Sequence, residues 1–261
     1  SFLLEQKDLE AIEIVNKLRK ANPNSSLESI VDGFVMQRSE DGRPVNLPIG
    51  VGEMRATNPC GEKPLLGYEA CVLGHINLEK ILELDQTSES SYRLNQDKLR
   101  ENTTLMYELL DNAIDQNEFT LDTIEKTQKS NRKIGLGFMG LANMLYKMEI
   151  PYNSKEGREF TDALLSMWEK ISDEASFAKA EKVGEFSNFK YSYHRNGLKK
   201  RNAIVRTLAP TGTTGFVAQT TGGMEPEYAL TYIRETVQGT KIDIFNPILE
   251  EKLQKYNFFR N

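Results

Sequence analysis

The sequence predicts an α/β fold. Two long stretches, residues 98–117 and 155–181, repeat apolar side chains at helical spacing, one stripe on each. A short β-rich run, residues 203–208 (AIVRTL), leads into a turn dense in Gly and Thr. Short strands alternating with helices favour an α/β architecture.

Taken in order, Leu9, Ile12, Val15 and Leu18 predict an amphipathic helix over residues 7–20, and NPNSS at residues 22–26 breaks it. Residues 38–50 are polar and rich in Gly and Pro, which predicts loop. Residues 58–78 are dense in Gly, Pro and Cys yet partly apolar, and neither period is sustained. That pattern suits an ordered, buried loop. Leu105, Met106, Leu109, Leu110, Ala113 and Ile114 form the stripe of the first long helix. Residues 130–147 carry Gly135, Gly137 and Gly140. Each glycine costs a helix about 1 kcal/mol relative to Ala, so this stretch reads as a loop, a tightly packed helix start, or both. Residues 151–154 form a turn. The second long helix carries Phe160, Leu164, Met167, Trp168, Ile171 and Ala175 along one face. Beyond residues 203–208 a second apolar run follows at 216–218. There is no internal repeat.

The 261 residues fit one large domain or two small ones and are ample for a core. Apolar and charged fractions of 39% and 27% are ordinary for a globular protein and single out no function. A net charge of -5 argues against a broad nucleic-acid surface, so no direct nucleic-acid binding is expected. No apolar run approaches the ~20 residues of a membrane helix, so no membrane partner is expected. The opening SFLLEQKDLE lacks a basic start and a small-residue cleavage site. No signal peptide is therefore expected, and the expected location is cytoplasmic.

Cys60 and Cys71 are the two cysteines, too few for a disulfide framework. Their plain reading is two reduced, partly buried thiols. His75 and His194 lie far apart, without the paired spacing of a zinc site, so no metal site is expected.

Three motifs carry candidate chemistry. Asn58, Pro59, Cys60, Gly61 and Glu62 place a thiol between an amide and a carboxylate on a tight turn. No histidine base is near, so the residues alone favour a surface turn with an incidental Cys. Pro210, Thr211, Gly212, Thr213, Thr214 and Gly215 follow the β-rich run and could aim backbone N–H groups and hydroxyls at one point, a usable phosphate cradle. An ordinary turn is the equal alternative. The glycines at 135, 137 and 140 satisfy GxGxxG, but no clear strand precedes them; close packing is the better reading than NAD binding. Glu225, in a Gly-Gly-Met-Glu-Pro turn, reads as structural, and the basic run 199–201 as a solvated turn.

The string NPCGEKPLLGYEACVLGHINL, residues 58–78, closely resembles the finger loop of ribonucleotide reductase catalytic subunits. NRKIGLGFMGLANML (131–145) and RNAIVRTLAPTGTTGFVAQTTGGMEPEYAL (201–230) resemble further blocks of that family, in its order. The resemblance covers about residues 51–261 and leaves the helix and loop of residues 1–50 unplaced. It implies a ten-stranded α/β barrel around a central finger loop that carries the radical cysteine, of which residues 51–261 supply about the second half.

The resemblance also implies roles. Cys60 would become the thiyl radical that takes the 3′ hydrogen of a ribonucleotide, in a loop enclosed from water. Glu62 would accept the 3′-hydroxyl proton, and Asn58 would orient the ribose hydroxyls. Cys71 would be one of two thiols that reduce the 2′ position and finish as a disulfide, restored by an external dithiol such as thioredoxin. Pro210, Thr211, Gly212, Thr213, Thr214 and Gly215 would hold the di- or triphosphate. The short Cys60–Cys71 interval most resembles the adenosylcobalamin-dependent class; a class that takes its radical from a metal-containing subunit is the alternative. The family admits a homodimer. Its chemistry needs three active-site cysteines, and this sequence has two. The chain is therefore expected to be a fragment, or one part of a split enzyme whose partner is the missing N-terminal barrel half. The competing reading is a non-catalytic relic or regulatory nucleotide-binding module.

Overall fold

The structure is a computed structural model that describes residues 54–87, 92–229, 231–235 and 239–255, together with the strand pair at 37–38 and 44–45. The helix expected over residues 7–20 and the break at 22–26 lie outside the described residues. Strand β1 (Gln37–Arg38) pairs antiparallel with β2 (Pro44–Val45), so part of the loop expected over 38–50 closes into a small hairpin.

The next elements are β3 (Ala56–Thr57), β4 (Pro64–Leu65), β5 (Val72–Asn77), a 3-10 turn (Leu78–Ile81), β6 (Leu82–Leu84) and β7 (Tyr92–Leu94). Helices α1 (Gln96–Gln116) and α2 (Asp122–Asn131) lead to β8 (Ile134–Met139). Then come α3 (Leu141–Lys147), α4 (Lys155–Val183), α5 (Gly212–Val217), β9 (Thr231–Glu235), β10 (Lys241–Phe245) and α6 (Pro247–Lys255). The described strands pair two by two: β1 with β2, β3 with β4, β5 with β8, β6 with β7 and β9 with β10. The chain divides into two compact units. The first is Ser1–Leu73, Thr104–Leu136 and Lys170–Thr207; the second is Gly74–Thr103, Gly137–Glu169 and Leu208–Asn261.

The first unit is built on a buried polar network. Asp111 on α1 accepts from Arg132 Nε at 3.0 Å and from Asn202 Nδ2 at 2.8 Å. Asn202 in turn accepts from the Tyr107 hydroxyl at 2.6 Å. Burial, with Asp111 beside it, pushes the Tyr107 hydroxyl well above its ordinary pKa. These partners set the rotation of α1. Its buried arc is Leu99, Thr103, Tyr107, Leu110, Asp111 and Ile114, while Leu105 and Leu109 are 68% and 62% exposed. Of the stripe expected from apolar spacing, Leu110 and Ile114 are buried as expected, while Leu105 and Leu109 are turned outward because satisfied polar groups share the inner arc. In the basic run 199–201, Lys199 is exposed as expected of a solvated turn, but Lys200 meets Asp173 at 3.0 Å and Arg201 meets Asp111 at 3.4 Å, both largely buried.

All six residues of β8 are buried, which is why no alternation marks them as a strand. Residues 203–208 form a single parallel bridge, Leu136 to Arg206, not a full strand. Leu136 N donates to Val205 O at 2.9 Å and Thr207 N to Leu136 O at 2.9 Å. Pro210 has no N–H with which to extend that ladder. A Cβ at Gly135 would lie 2.2 Å from Leu73 Cδ2 and 2.8 Å from Thr207 Cγ2. The close packing expected of this glycine is observed, inside a strand and not at a helix start.

In the second unit, Gly140 (φ +82°) turns the chain from β8 into α3. Phe138 meets Trp168 of α4 edge to face, with centroids 5.2 Å apart. Glu79 is 6% exposed and accepts from Lys147 at 2.9 Å and Asn143 at 3.0 Å. Burial works against its charge, but those bonds outweigh it and hold the carboxyl below its ordinary pKa. Asn246 Oδ1 accepts from Ile248 N at 2.9 Å and so caps α6. Among the described residues no helix is long and apolar enough to cross a membrane.

Candidate active site

The hairpin of β3 and β4 carries the thiol motif at its tip. Asn58 N donates to Lys63 O at 3.1 Å, and Lys63 N to Asn58 Oδ1 at 2.9 Å, so one asparagine closes the loop at both its backbone and its side chain. Gly61 holds φ at +86°, which glycine adopts without a steric penalty. Asn58 Nδ2 reaches across to Glu62 Oε1 at 2.5 Å. The other oxygen, Glu62 Oε2, is buried and has no hydrogen-bond partner among the described residues. An unpaired buried acceptor costs about 1–3 kcal/mol, and a ligand hydroxyl would offset that.

Cys60 is exposed, contrary to the enclosed loop expected of a radical cysteine. The turn made by Pro59 and Gly61 draws its flanking polar groups inward and leaves the tip residue facing out. Cys71 is partly buried, its Sγ donating weakly to Val72 O at 3.6 Å. A Cβ at Gly135 would lie 3.4 Å from that sulfur. Burial pushes the Cys71 thiol above its ordinary pKa, with Lys63 and Lys133 opposing. Neither cysteine is in a disulfide.

The lysines were not singled out by spacing. Lys63 Nζ donates to Ile134 O and Arg206 O, each at 2.8 Å, and burial brings its pKa down to about 8. Lys133 Nζ donates to Pro64 O at 3.0 Å and meets Glu69 Oε2 at 2.5 Å. Glu69 also accepts from Leu66 N at 2.8 Å and Asn131 Nδ2 at 2.7 Å. The available signal is a charge embedded in apolar sequence, as in Lys63 before Pro-Leu-Leu and Lys133 before Ile-Gly-Leu.

The first unit therefore brings Asn58, Cys60 and Glu62 onto one turn. The glycine-threonine turn belongs to the second unit. There Thr211 holds φ at +53°, and its buried hydroxyl accepts from Gly223 N at 2.8 Å. Helix α5 starts at Gly212, and Gly212, Thr213 and Thr214 are exposed in its first turn, where N–H groups have no partner within the helix. Pro210 is exposed and Gly215 buried against Thr220 O. Glu225 is exposed, with its N bonded to Gly222 O at 2.9 Å. Among the described residues no group of three or more His, Cys, Asp or Glu could hold a metal ion.

These features define an α/β segment built around free thiols, carboxylates and buried lysines. The family model described as "Ribonucleotide reductase, barrel domain" matches residues 43–200 and 199–261. The chain belongs to that family. The vitamin B12-dependent ribonucleoside-diphosphate reductase of Thermoplasma acidophilum is 40% identical over 210 residues, which are 80% of this chain and 27% of that protein. Its namesake in Mycobacterium tuberculosis is 36% identical over 212 residues, 81% of this chain and 30% of that protein. The ribonucleoside-diphosphate reductase subunit alpha of Chlamydia muridarum is 28% identical over 246 residues, covering 78% and 23%. Among solved structures, the Actinobacillus ureae class Id ribonucleotide reductase alpha subunit superimposes with a TM-score of 0.60 at 21% identity, covering 78% of this chain and 36% of that one. The chain thus spans about a quarter to a third of these relatives' length.

Proposed function

We propose that this chain is the thiol-bearing part of a ribonucleotide reductase catalytic subunit, acting on ribonucleoside di- or triphosphates. The observation that carries the reading is Glu62: one oxygen is fixed by Asn58, and the other is buried without a partner among the described residues, on the same turn as Cys60. A ribose 3′-hydroxyl placed there would find its proton acceptor within hydrogen-bond reach. Asn58 would hold the neighbouring hydroxyl, and Cys60 would take the 3′ hydrogen as a thiyl radical. Cys71 would give one of the two reducing equivalents, and an external dithiol such as thioredoxin would restore it. Gly212, Thr213 and Thr214 would bind phosphate with their free N–H groups.

The greater similarity to relatives named vitamin B12-dependent supports adenosylcobalamin as the radical source. Cys60 fits such a source in being an exposed free cysteine at the tip of the hairpin. Adenosylcobalamin, when bound, supplies the oxidising equivalent that turns the Cys60 thiol into a radical. What this chain does around it is orient the ribose, accept a proton at Glu62 and supply a thiol at Cys71.

The test is Cys60→Ser in the enzyme assembled with its remaining barrel. Deoxynucleotide formation falls to background while nucleotide binding persists, because a hydroxyl fills the same space but forms no comparable radical. Near-parental turnover would remove Cys60 from the role.

A further inference from the structure

The loop that leads from the hairpin to Cys71 is held by polar groups, and the chemistry above uses none of them. Gly67, Tyr68 and Ala70 are exposed, and apolar packing in this loop comes from Leu66 against Phe186, Phe189 and Ala203. Tyr68 holds φ at +61°, a conformation that costs free energy in any residue with a Cβ and persists where its surroundings dictate it. Its neighbour Glu69 supplies that hold, with a side chain 0% exposed. Glu69 Oε2 accepts from Leu66 N at 2.8 Å and meets Lys133 Nζ at 2.5 Å, and Oε1 accepts from Asn131 Nδ2 at 2.7 Å. Ala70 N, directly before Cys71, donates to Gln128 Oε1 at 3.2 Å.

Lys133 joins this loop to the hairpin, because its Nζ also donates to Pro64 O of β4 at 3.0 Å. Cys71 Sγ lies 3.4 Å from where a Cβ would stand on Gly135, two residues past Lys133. The hairpin's other anchor, Lys63 Nζ on Ile134 O at 2.8 Å, falls between them. Residues 133–135 are therefore a common base for the hairpin and the thiol. Desolvation cancels much of the attraction within a buried ion pair, so such a pair adds little stability over apolar side chains of the same volume. Its hydrogen bonds are directional, which apolar packing is not.

We propose that Glu69 and Lys133 are positioning residues: their pair sets where Cys71 stands relative to the hairpin that carries Glu62. The inference rests on the reading of Cys71 as a reducing thiol and Glu62 as a proton acceptor. Those two groups act at neighbouring carbons of one ribose, so the substrate requires a fixed spacing between them.

The experiment uses the full chain with Cys60→Ser, which leaves a single thiol, and follows iodoacetamide alkylation of Cys71 at rising urea. It is repeated with Glu69→Gln and, separately, Lys133→Gln added, and circular dichroism gives the global unfolding midpoint of each. Without urea, Glu69→Gln hastens alkylation about tenfold, and the excess is flat in urea below the midpoint, the mark of local opening. Lys133→Gln acts in the same direction. A pair that served overall stability alone would change alkylation only along the urea dependence of global unfolding. That result, or no change, overturns the proposal. If Glu69→Gln does not fold, Lys133→Gln decides, and unfolding of both overturns the proposal as well, since a structural role then suffices. In the enzyme assembled with its remaining barrel, Glu69→Gln lowers kcat about tenfold or more while KM stays within about twofold. A loss confined to KM overturns the proposal too. No nucleotide enters the alkylation assay, so its failure is distinct from a failure of the reductase reading, which shows as missing deoxynucleotide from the unsubstituted assembly.

Discussion

Glu62 is the proton acceptor in the proposed chemistry. Its Oε1 is fixed by Asn58, while Oε2 is buried without a partner among the described residues. Glu62→Gln keeps the shape and removes the proton acceptor. In the assembled enzyme it should lower kcat by about 10²-fold or more, the usual worth of a positioned base, with nucleotide affinity retained. A loss confined to KM would sink that assignment. The motif around Glu62 was legible because thiol, amide and carboxylate fall within five residues flanked by turn formers. Lys63 and Lys133 were only faintly legible, as charges followed by apolar residues; their partners are main-chain carbonyls and a glutamate brought in by folding. Nor could sequence show that the Thr211 hydroxyl is engaged by Gly223 N, leaving Thr213 and Thr214 as the exposed threonines of the turn.

Among the elements, the long helices were legible by period, but the face of α1 only in part. Tyr107 and Asp111 point inward because Asn202 and Arg132 meet them there, and apolar spacing holds no record of such partners. The strand β8 escaped because burial on both faces erases alternation. Its glycine makes a clear prediction. Gly135→Ala drives a methyl into Leu73 and Thr207 and should cost about 1–3 kcal/mol of stability, read as a lowered urea midpoint. No change in midpoint would mean that the neighbours yield freely. Glu79 fastens the 3-10 turn at Leu78–Ile81 to α3. Its folded pKa lies below the ordinary 4.5, so its stabilisation is present above that value and is lost as pH falls through the lowered one. Urea midpoints between pH 7 and pH 3 should therefore drop more steeply in the parent than in Glu79→Gln; parallel slopes would contradict the assignment.

For the whole molecule, the family was legible from three motif blocks in order, whereas the pairing of β5 with β8 was not, since it joins strands far apart in the chain. Cysteine arithmetic gives the prediction at this scale. The proposed chemistry needs one radical thiol and two reducing thiols, and the chain has two cysteines in all. Purified alone with adenosylcobalamin, nucleotide and dithiol, it should form no deoxynucleotide; co-expression with a companion barrel half should restore product. Product from the single chain would mean that another group gives the second reducing equivalent. The exposure of Cys60 has a kinetic corollary. A sulfur radical born at an open hairpin tip would be quenched before it met a ribose. If Cys60 carries the radical as proposed, initiation would come last, after the nucleotide and the companion barrel half have arrived. The dwell time of that closed assembly, and not the reactivity of the thiol, would set how many turnovers each radical completes.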